Sequence, residues 1–517
     1  MKYPIGVQSF EVLREDGFVY VDKTDLIYKL AQQHVCFLCR PRRFGKSLTL
    51  STLEAYFLGK RQLFTGLKIE QMEHEWKTYP VFHFDFNGTD FSRPEALEHY
   101  ISYCLSEWEK QYGVEPDFQL SLGMRFARIL RQAHQASALR CVVLVDEYDK
   151  PMLDVLGDRM EEENRNVLKN FYSVFKTADV DLRFVLLTGV TKFSQVSVFS
   201  GFNQPYDISM SAEYETLCGI TEVELDEYFS EGIRLLSASM NYPVEQMRQY
   251  VKNFYDGYHF SAKMTDVYNP FSLLNAFGNS TLDYFWFSSG TPSYLIRLMS
   301  GHQVDMQSLL TKTYTSNYFI DYRANVEDPL AMLYQSGYLT IKQVVHDPSI
   351  GMNRYILDYP NMEVKRGFVT LLANSYFRSE EDAGGVCMRM VECLRNADLN
   401  ELREVMNVYL SGIDYEMRKD KEYHFQYTFY LIFSLLSSFT VRVEQHNSQG
   451  RTDLIVETKD YVYIFEFKYG GSADEALQQI EDRQYALPYA QSGKRIYKIG
   501  ASFGKKSGVI DDWKVCS

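Results

Sequence analysis

The segment Cys36-Phe37-Leu38-Cys39-Arg40-Pro41-Arg42-Arg43-Phe44-Gly45-Lys46-Ser47-Leu48-Thr49-Leu50 decides how the first part of the chain folds. Val35 to Cys39 reads as a buried strand, the Arg-, Pro- and Gly-containing stretch as a loop, and the residues that follow as a helix start. Strand, loop and helix in that order make a phosphate cradle, or P-loop. Backbone N–H groups at a helix N-terminus wrap the anion, a lysine reaches the β- and γ-phosphates, and a hydroxyl reaches Mg²⁺. Lys46 and Ser47 fit the last two roles, and Arg40, Pro41, Arg42, Arg43, Phe44, Gly45 and Leu48 complete the expected nucleotide-contacting loop. The motif asks for Gly where this chain has Arg40, which makes the loop less permissive. Arg40, Arg42 and Arg43 are expected to add positive charge beside the same anion.

Further along, Cys141-Val142-Val143-Leu144-Val145-Asp146-Glu147-Tyr148-Asp149 is an apolar strand ending in acids. In P-loop phosphoryl-transfer enzymes an Asp at such a strand end holds Mg²⁺ and a following Glu polarises the attacking water. Asp146 is assigned to the metal and Glu147 to the water. A third strand, ending Leu186-Leu187-Thr188-Gly189-Val190-Thr191-Lys192, brings Thr188 or Lys192 as candidate γ-phosphate sensors; polar residues also end strands for solvation alone.

Around these motifs, residues 1 to about 215 alternate apolar runs with amphipathic stretches, the pattern of an α/β sheet. Pro80 to Phe84 and Leu182 to Leu187 are further buried strands. From 216 the pattern turns helical and aromatic. A short helix and two strands near Tyr338–Ile341 and Arg354–Leu357 suggest a winged-helix-like module, and a separate α/β domain is expected at the C-terminus. The 517 residues carry 54 Lys and Arg against 68 Asp and Glu, a net charge of −14, so nucleic-acid binding requires a local basic patch. With 45% hydrophobic and 24% charged residues, wholesale disorder and a polytopic membrane protein are excluded. Eight scattered cysteines and a start without a signal-peptide core lead to the expectation of a reducing, cytoplasmic setting. The uncharged stretch Phe425–Val441 carries Gln426, Thr428, Ser434, Ser437 and Ser438 and reads as a buried helix rather than a membrane span.

The tail holds a second constellation. Arg451–Glu457 and Tyr461–Lys468 are alternating strands joined across Thr458-Lys459-Asp460. A hairpin symmetric about Lys459 and Asp460 sets Asp453 directly opposite Glu466, and alternation places Lys468 on the face of Glu466. Opposed carboxylates only about 5 Å apart at Cβ repel, and a divalent cation removes that penalty. Asp453 and Glu466 are therefore expected to hold Mg²⁺, and Lys468 to activate water or stabilise phosphorane-like charge, the D…ExK arrangement of PD-(D/E)XK nucleases. Lys494, Arg495, Lys498, Lys505 and Lys506 are either a phosphate-contacting patch or a solvated edge.

The chain resembles the bacterial AAA-ATPase-like proteins that carry a C-terminal PD-(D/E)XK nuclease domain. The resemblance rests on Ile5-Gly6 to Phe10, Tyr20–Thr24, the loop at 40–47, Val145–Pro151, the stretch 188–203 and Tyr255–Phe260. It implies a multidomain α/β fold: a P-loop parallel sheet at 1–215, a helical lid and possible winged-helix region at 216–376, and a restriction-endonuclease-like domain at 377–517. In this family the Arg at the position of Arg40 is usual. The resemblance adds Glu422 as a helix acid, and Gln479 and Tyr485 as residues beside the nuclease site. ATP and Mg²⁺ are the implied cofactors and nucleic acid, DNA before RNA, the implied partner; no membrane is implied, and homo-oligomerisation stays open. The expected function is an ATPase whose nucleotide cycle gates a metal-dependent nuclease. The other reading is a nucleotide-switched module whose tail binds nucleic acid or protein without cutting. Cys36 and Cys39 have zinc-knuckle spacing but no second pair, and read as core. His259 reads as packed.

Overall fold

The computed structural model describes residues 2–192, 205–289, 306–320, 329–348, 351–376, 383–411, 433, 436, 440–447, 450–504, 507 and 509–517. The chain divides into two compact units, Met1–Val364 and Lys365–Ser517, with the boundary inside the helix Met362–Tyr376.

The first unit is built on β1 (Val35–Cys39), β2 (Val81–Asp85), β3 (Cys141–Asp146), β4 (Leu182–Gly189) and β5 (Tyr206–Asp207), in the order β2-β3-β4-β1-β5. Every pairing is parallel. Parallel sheets are covered on both faces, which is why these strands read as near-continuous apolar runs; every residue of β3 is buried. The four longer strands lie within two residues of their expected bounds. β5 is two residues long with Tyr206 exposed, too short and too polar-flanked for a hydrophobic run to betray it. Interior β1 has β4 on one side and β5 on the other. Open α/β sheets bind ligands at the carboxyl ends of such strands.

Much of the aromatic content is packing. Phe82 and Phe84 of β2 meet Trp108 and Phe126 edge-on, at centroid distances of 4.8–5.6 Å. The helices Glu222–Met240, Val244–Tyr255 and Pro270–Asn279 share an apolar core centred on Phe229, Leu236, Val251 and Phe277. Thr221 and Glu224 close a reciprocal capping box at the first of them. Next come β6 (Thr313–Tyr314), the helix Leu330–Gln335, and the hairpin of β7 (Thr340–Asp347) with β8 (Met352–Asp358), in the sheet order β6-β8-β7. Helix followed by hairpin is the element order the sequence suggests for this region.

The second unit holds β9 (Thr440–Asn447), β10 (Gly450–Glu457), β11 (Tyr461–Tyr469), β12 (Arg495–Phe503) and β13 (Ile510–Cys516), in the order β13-β12-β11-β10-β9. β10 is antiparallel to both β9 and β11, β11 and β12 are parallel, and β13 returns antiparallel. The crossover from β11 to β12 carries the helix Ala473–Asp482, capped by Ser472 and Glu475. This helix lies so close to β12 that a Cβ at Gly500 would stand 2.2 Å from the Ala473 carbonyl. The β10–β11 hairpin pairs Leu454 with Phe465 and Glu457 with Val462, the register expected from symmetry about Lys459 and Asp460. Its turn is closed by Thr458 N–H donating to the Tyr461 carbonyl at 2.9 Å. Glu422, Lys505, Lys506 and most of Phe425–Leu436 lie outside the described residues.

Candidate functional sites

Behind the end of β1 the chain turns through Arg43 (φ 64°) and Gly45 (φ 96°) into the helix Lys46–Phe57. Lys46 is buried and folds back, its Nζ donating to the carbonyls of Arg40 and Pro41 at 3.1 Å each. The loop forms one wall of a cavity of about 470 Å³, lined also by Ser47, Leu48, Glu147, Lys150 and Asn87. Asp146, at the end of β3, is 2% exposed; its Oδ1 accepts from Thr188 Oγ1 at 2.7 Å and from Glu147 N–H at 3.0 Å. Glu147 takes φ 48°, a left-handed turn that aims it away from the strand path and into the cavity lining. Burial pushes its carboxyl above the ordinary range. Lys46 and Arg42 pull it back, while Asp149 and Asp146 push the same way as burial.

Three of the residues expected near the phosphates, Arg40, Lys192 and Thr188, are bonded within the protein. Arg40 is 1% exposed, and its guanidinium donates to the carbonyls of Cys39 (2.8 Å), Ser209 (2.7 Å) and Tyr214 (3.2 Å) while stacking over Phe260 at 4.1 Å. It fastens the strand end through its two terminal nitrogens, while its Nε is buried without a hydrogen-bond partner. Lys192 pairs with Asp207 at 2.8 Å and does not line the cavity. Thr188 Oγ1 donates to Asp146 Oδ1. Phe44 is fully buried between Tyr258 and Phe260, so it anchors the loop from behind.

The cavity also has walls that motif reading missed. Residues Pro4 to Gln8, Phe271, Asn275, Trp286 and Tyr338 all line it. Trp286 Nε1 donates to the Arg42 carbonyl at 3.0 Å, and Trp286 N–H donates to buried Glu363 at 2.7 Å. Asp149 closes the acidic run that follows β3. Its Oδ2 accepts from Val190 N–H (3.0 Å), Thr191 N–H (2.6 Å) and Thr191 Oγ1 (2.8 Å), pinning the chain after β4. Only its position in the longer motif could have signalled that. His259 is packed as expected, bonded to the Ile341 carbonyl and Asp266 at 2.7 Å each.

In the second unit, β10, β11 and the helix Ala473–Asp482 bring Asp453, Glu466, Lys468 and Gln479 together. Asp453 Oδ2 accepts from Phe467 N–H at 2.9 Å. Lys468 Nζ stands 3.6 Å from Glu466 Oε1 and donates to Gln479 Oε1 at 2.5 Å, while Gln479 Nε2 donates to Glu466. Glu466 is 2% exposed, and its Oε2 is buried without a hydrogen-bond partner. Burial pushes its carboxyl up to about 8, the Asp453 charge adding to this and Lys468 opposing it. An orphaned carboxylate oxygen beside a second carboxylate fits a divalent cation, which would supply the missing positive partner. Among the described residues no group of three or more His, Cys, Asp or Glu side chains gathers for a metal, so the fit rests on this acid pair. Tyr485 packs with Ile455, Val462, Ile464 and Ile480 in the core. Of the basic residues, Lys494 is bound to Glu457 at 2.7 Å and Lys498 to Glu481 at 2.6 Å, and Arg495 lies over the Tyr497 ring. Lys505 and Lys506, the other two of this set, lie outside the described residues.

A five-stranded parallel sheet with a glycine-lysine-serine loop at the end of its interior strand defines a P-loop nucleotide-binding domain, here joined to a mixed α/β domain. A model of the "Predicted AAA-ATPase" family matches residues 4–199, and one of the PD-(D/E)XK nuclease superfamily matches residues 420–513. The "Uncharacterized protein in vnfD 5'region" of Azotobacter chroococcum mcd 1 is 35% identical over 517 residues, covering 98% of this chain and 97% of that one. The chain belongs to the family of AAA-ATPase-like proteins with a C-terminal PD-(D/E)XK nuclease-superfamily domain. The solved Orc1 protein of Aeropyrum pernix in complex with DNA matches over 71% of this chain and 95% of that one, at 11% identity and a TM-score of 0.26, too loose a likeness to bear on function. Among the described residues no helix is long and apolar enough to cross a membrane.

Proposed function

We propose that the first unit hydrolyses Mg-ATP and that its nucleotide cycle gates a metal-dependent phosphodiesterase centre on the second. The observation that carries the reading is that Lys46, Ser47 and Glu147 line one cavity at the carboxyl ends of β1 and β3. There Lys46 would hold the β/γ-phosphates, and Ser47 and Asp146 the magnesium ion, which supplies charge neutralisation. Glu147 orients water for attack on the γ-phosphorus. The new P–O bond forms as the bond to the β–γ bridging oxygen breaks, its electron pair leaving with ADP, and the water's proton passes to Glu147 and on to phosphate.

On the second unit, Asp453 and Glu466 would hold a divalent cation, and Lys468, steered by Gln479, faces the scissile phosphate. DNA is favoured over RNA as substrate, the setting is cytoplasmic, and a homo-oligomer is compatible with the reading. Gating requires ATP and ADP to make different contacts in two states of the protein.

The test is supercoiled and linear DNA incubated with Mg²⁺, with and without ATP, for the full chain, Lys46→Ala and Lys468→Ala, alongside phosphate release. Cleavage by the unmodified protein that falls in both variants supports the reading. Absence of cleavage in all three removes the nuclease half, and phosphate release unchanged in Lys46→Ala removes the ATPase half.

One observation favours a second reading: Lys494 and Lys498 are spent on Glu457 and Glu481. A nucleotide-switched binding module that does not cut would show nucleotide-dependent binding surviving Asp453→Ala.

A further inference from the structure

Arg42 stands out when the cations around the nucleotide cavity are followed one by one. Those lining it are Arg42, Arg43, Lys46 and Lys150. Lys150 is paired with Asp154 at 2.6 Å. The Arg43 guanidinium lies 4.1 Å over the Phe271 ring. Lys46 is tied to the loop carbonyls. The exposed Arg42 guanidinium makes no hydrogen bond or ion pair among the described residues, yet its charge acts on the Glu147 carboxylate. Its backbone is not loose: the Arg42 carbonyl is held by Trp286 Nε1, and Trp286 is held by Glu363, which is 0% exposed.

We infer that Arg42 is a catalytic residue acting in cis, its guanidinium reaching the γ-phosphoryl oxygens and the β–γ bridging oxygen as the bond breaks. Trp286 is the positioning residue that sets its reach. The inference rests on the ATPase reading above and adds to it the source of the transition-state cation. A guanidinium suits this place because its planar donors follow charge spread over several oxygens. A cation supplied within the chain also makes turnover independent of assembly. An arginine donated by a second copy would not.

The experiment measures phosphate release and fluorescent-ATP binding for the full chain and for Arg42→Ala, Arg42→Lys and Trp286→Phe. Arg42→Ala should lose about 100-fold or more in kcat, with nucleotide affinity changed by no more than about threefold. Arg42→Lys should recover part of kcat, and millimolar guanidinium should partly rescue Arg42→Ala. Trp286→Phe keeps the ring and loses the Nε1 bond, and should lower kcat by about tenfold while leaving affinity unchanged. Specific activity of the unmodified protein should stay constant on dilution. Wild-type kcat in Arg42→Ala, loss of affinity matching the loss of kcat without guanidinium rescue, or activity that falls on dilution overturns the inference and leaves the ATPase reading standing. Absence of phosphate release from the unmodified protein takes down both.

Discussion

Replacing Glu363 by Gln tests how the wall of the nucleotide cavity is held, and its outcome is fixed in sign by burial. The Glu363 side chain is 0% exposed, accepting from Ser272 Oγ and Trp286 N–H at 2.7 Å each. Burial pushes its carboxyl from 4.5 up to about 7; the Ser272 and Trp286 donors oppose this, and nearby Asp283 adds to it. A carboxyl with a raised folded value binds its proton more tightly in the native state. Its contribution is therefore fully present at low pH and is lost as pH climbs from the unfolded value through the folded one. Between pH 5 and pH 8 the loss is about 2.5 kcal/mol. In Glu363→Gln the side-chain amide keeps one acceptor for Trp286 N–H and offers its NH₂ to the Ser272 hydroxyl, with no charge to bury. Urea unfolding of the full chain, followed by tryptophan emission at both pH values, should show the variant gaining on wild type by about 2.5 kcal/mol from pH 5 to pH 8. Asp256, also pushed up to about 7 by burial, titrates in both proteins and cancels in the difference. A stability difference that is constant with pH would refute the reasoning.

Gly189→Ala would place its Cβ 2.5 Å from Asp149 Oδ1 and 2.7 Å from the Tyr148 ring. It should cost about 1–3 kcal/mol, read as a lowered thermal midpoint. Arg40→Ala strips the Ser209 and Tyr214 carbonyls of a buried donor and should cost about 3 kcal/mol or more, whereas Arg42→Ala should leave the midpoint unchanged. At about ten times its dissociation constant, Mg²⁺ should stabilise the unmodified second unit by about 1.4 kcal/mol and Asp453→Asn not at all, measured by thermal unfolding. Because Arg43 holds φ 64°, Arg43→Gly should retain about 1 kcal/mol more stability in urea than Arg43→Ala, the reverse of the usual order in a helix.

What could be read in the residues was whatever a local rule fixes. β1 and β3 are continuous apolar runs because both faces are covered, and the tail's hairpin register follows from its turn, which places Asp453 and Glu466 side by side. The missed features depend on residues distant in the chain. The carbonyls that hold the Arg40 guanidinium belong to Ser209 and Tyr214, far along the chain. The ion pair of Lys192 is with Asp207 on β5, a strand too short to be read from the residues. Neither the Trp286 indole nor the 4–8 segment carries a motif of its own that points to the cavity.

The departure at Arg40 is explained by where the loop bends. A glycine is needed only where the backbone turns left-handed or another group crowds its Cβ. In this loop the positive φ angles fall at Arg43 and Gly45, and Arg40 has none. Its N–H instead donates to the Gly189 carbonyl at 3.2 Å, continuing the β1–β4 ladder past the end of the strand. With the strand prolonged, the turn is compressed into the residues just before Lys46, and its shape is held from outside: Phe44 between Tyr258 and Phe260, the Arg40 guanidinium on Phe260, the Arg42 carbonyl on Trp286. Three arginines within four positions thus have three different fates, one buried as a fastener, one over a ring of the neighbouring helix, and one facing the cavity. The loop exchanges the conformational freedom of a glycine for anchorage to Tyr258, Phe260 and Trp286, which follow the sheet in the chain. A change in those residues therefore acts on the phosphate cradle directly.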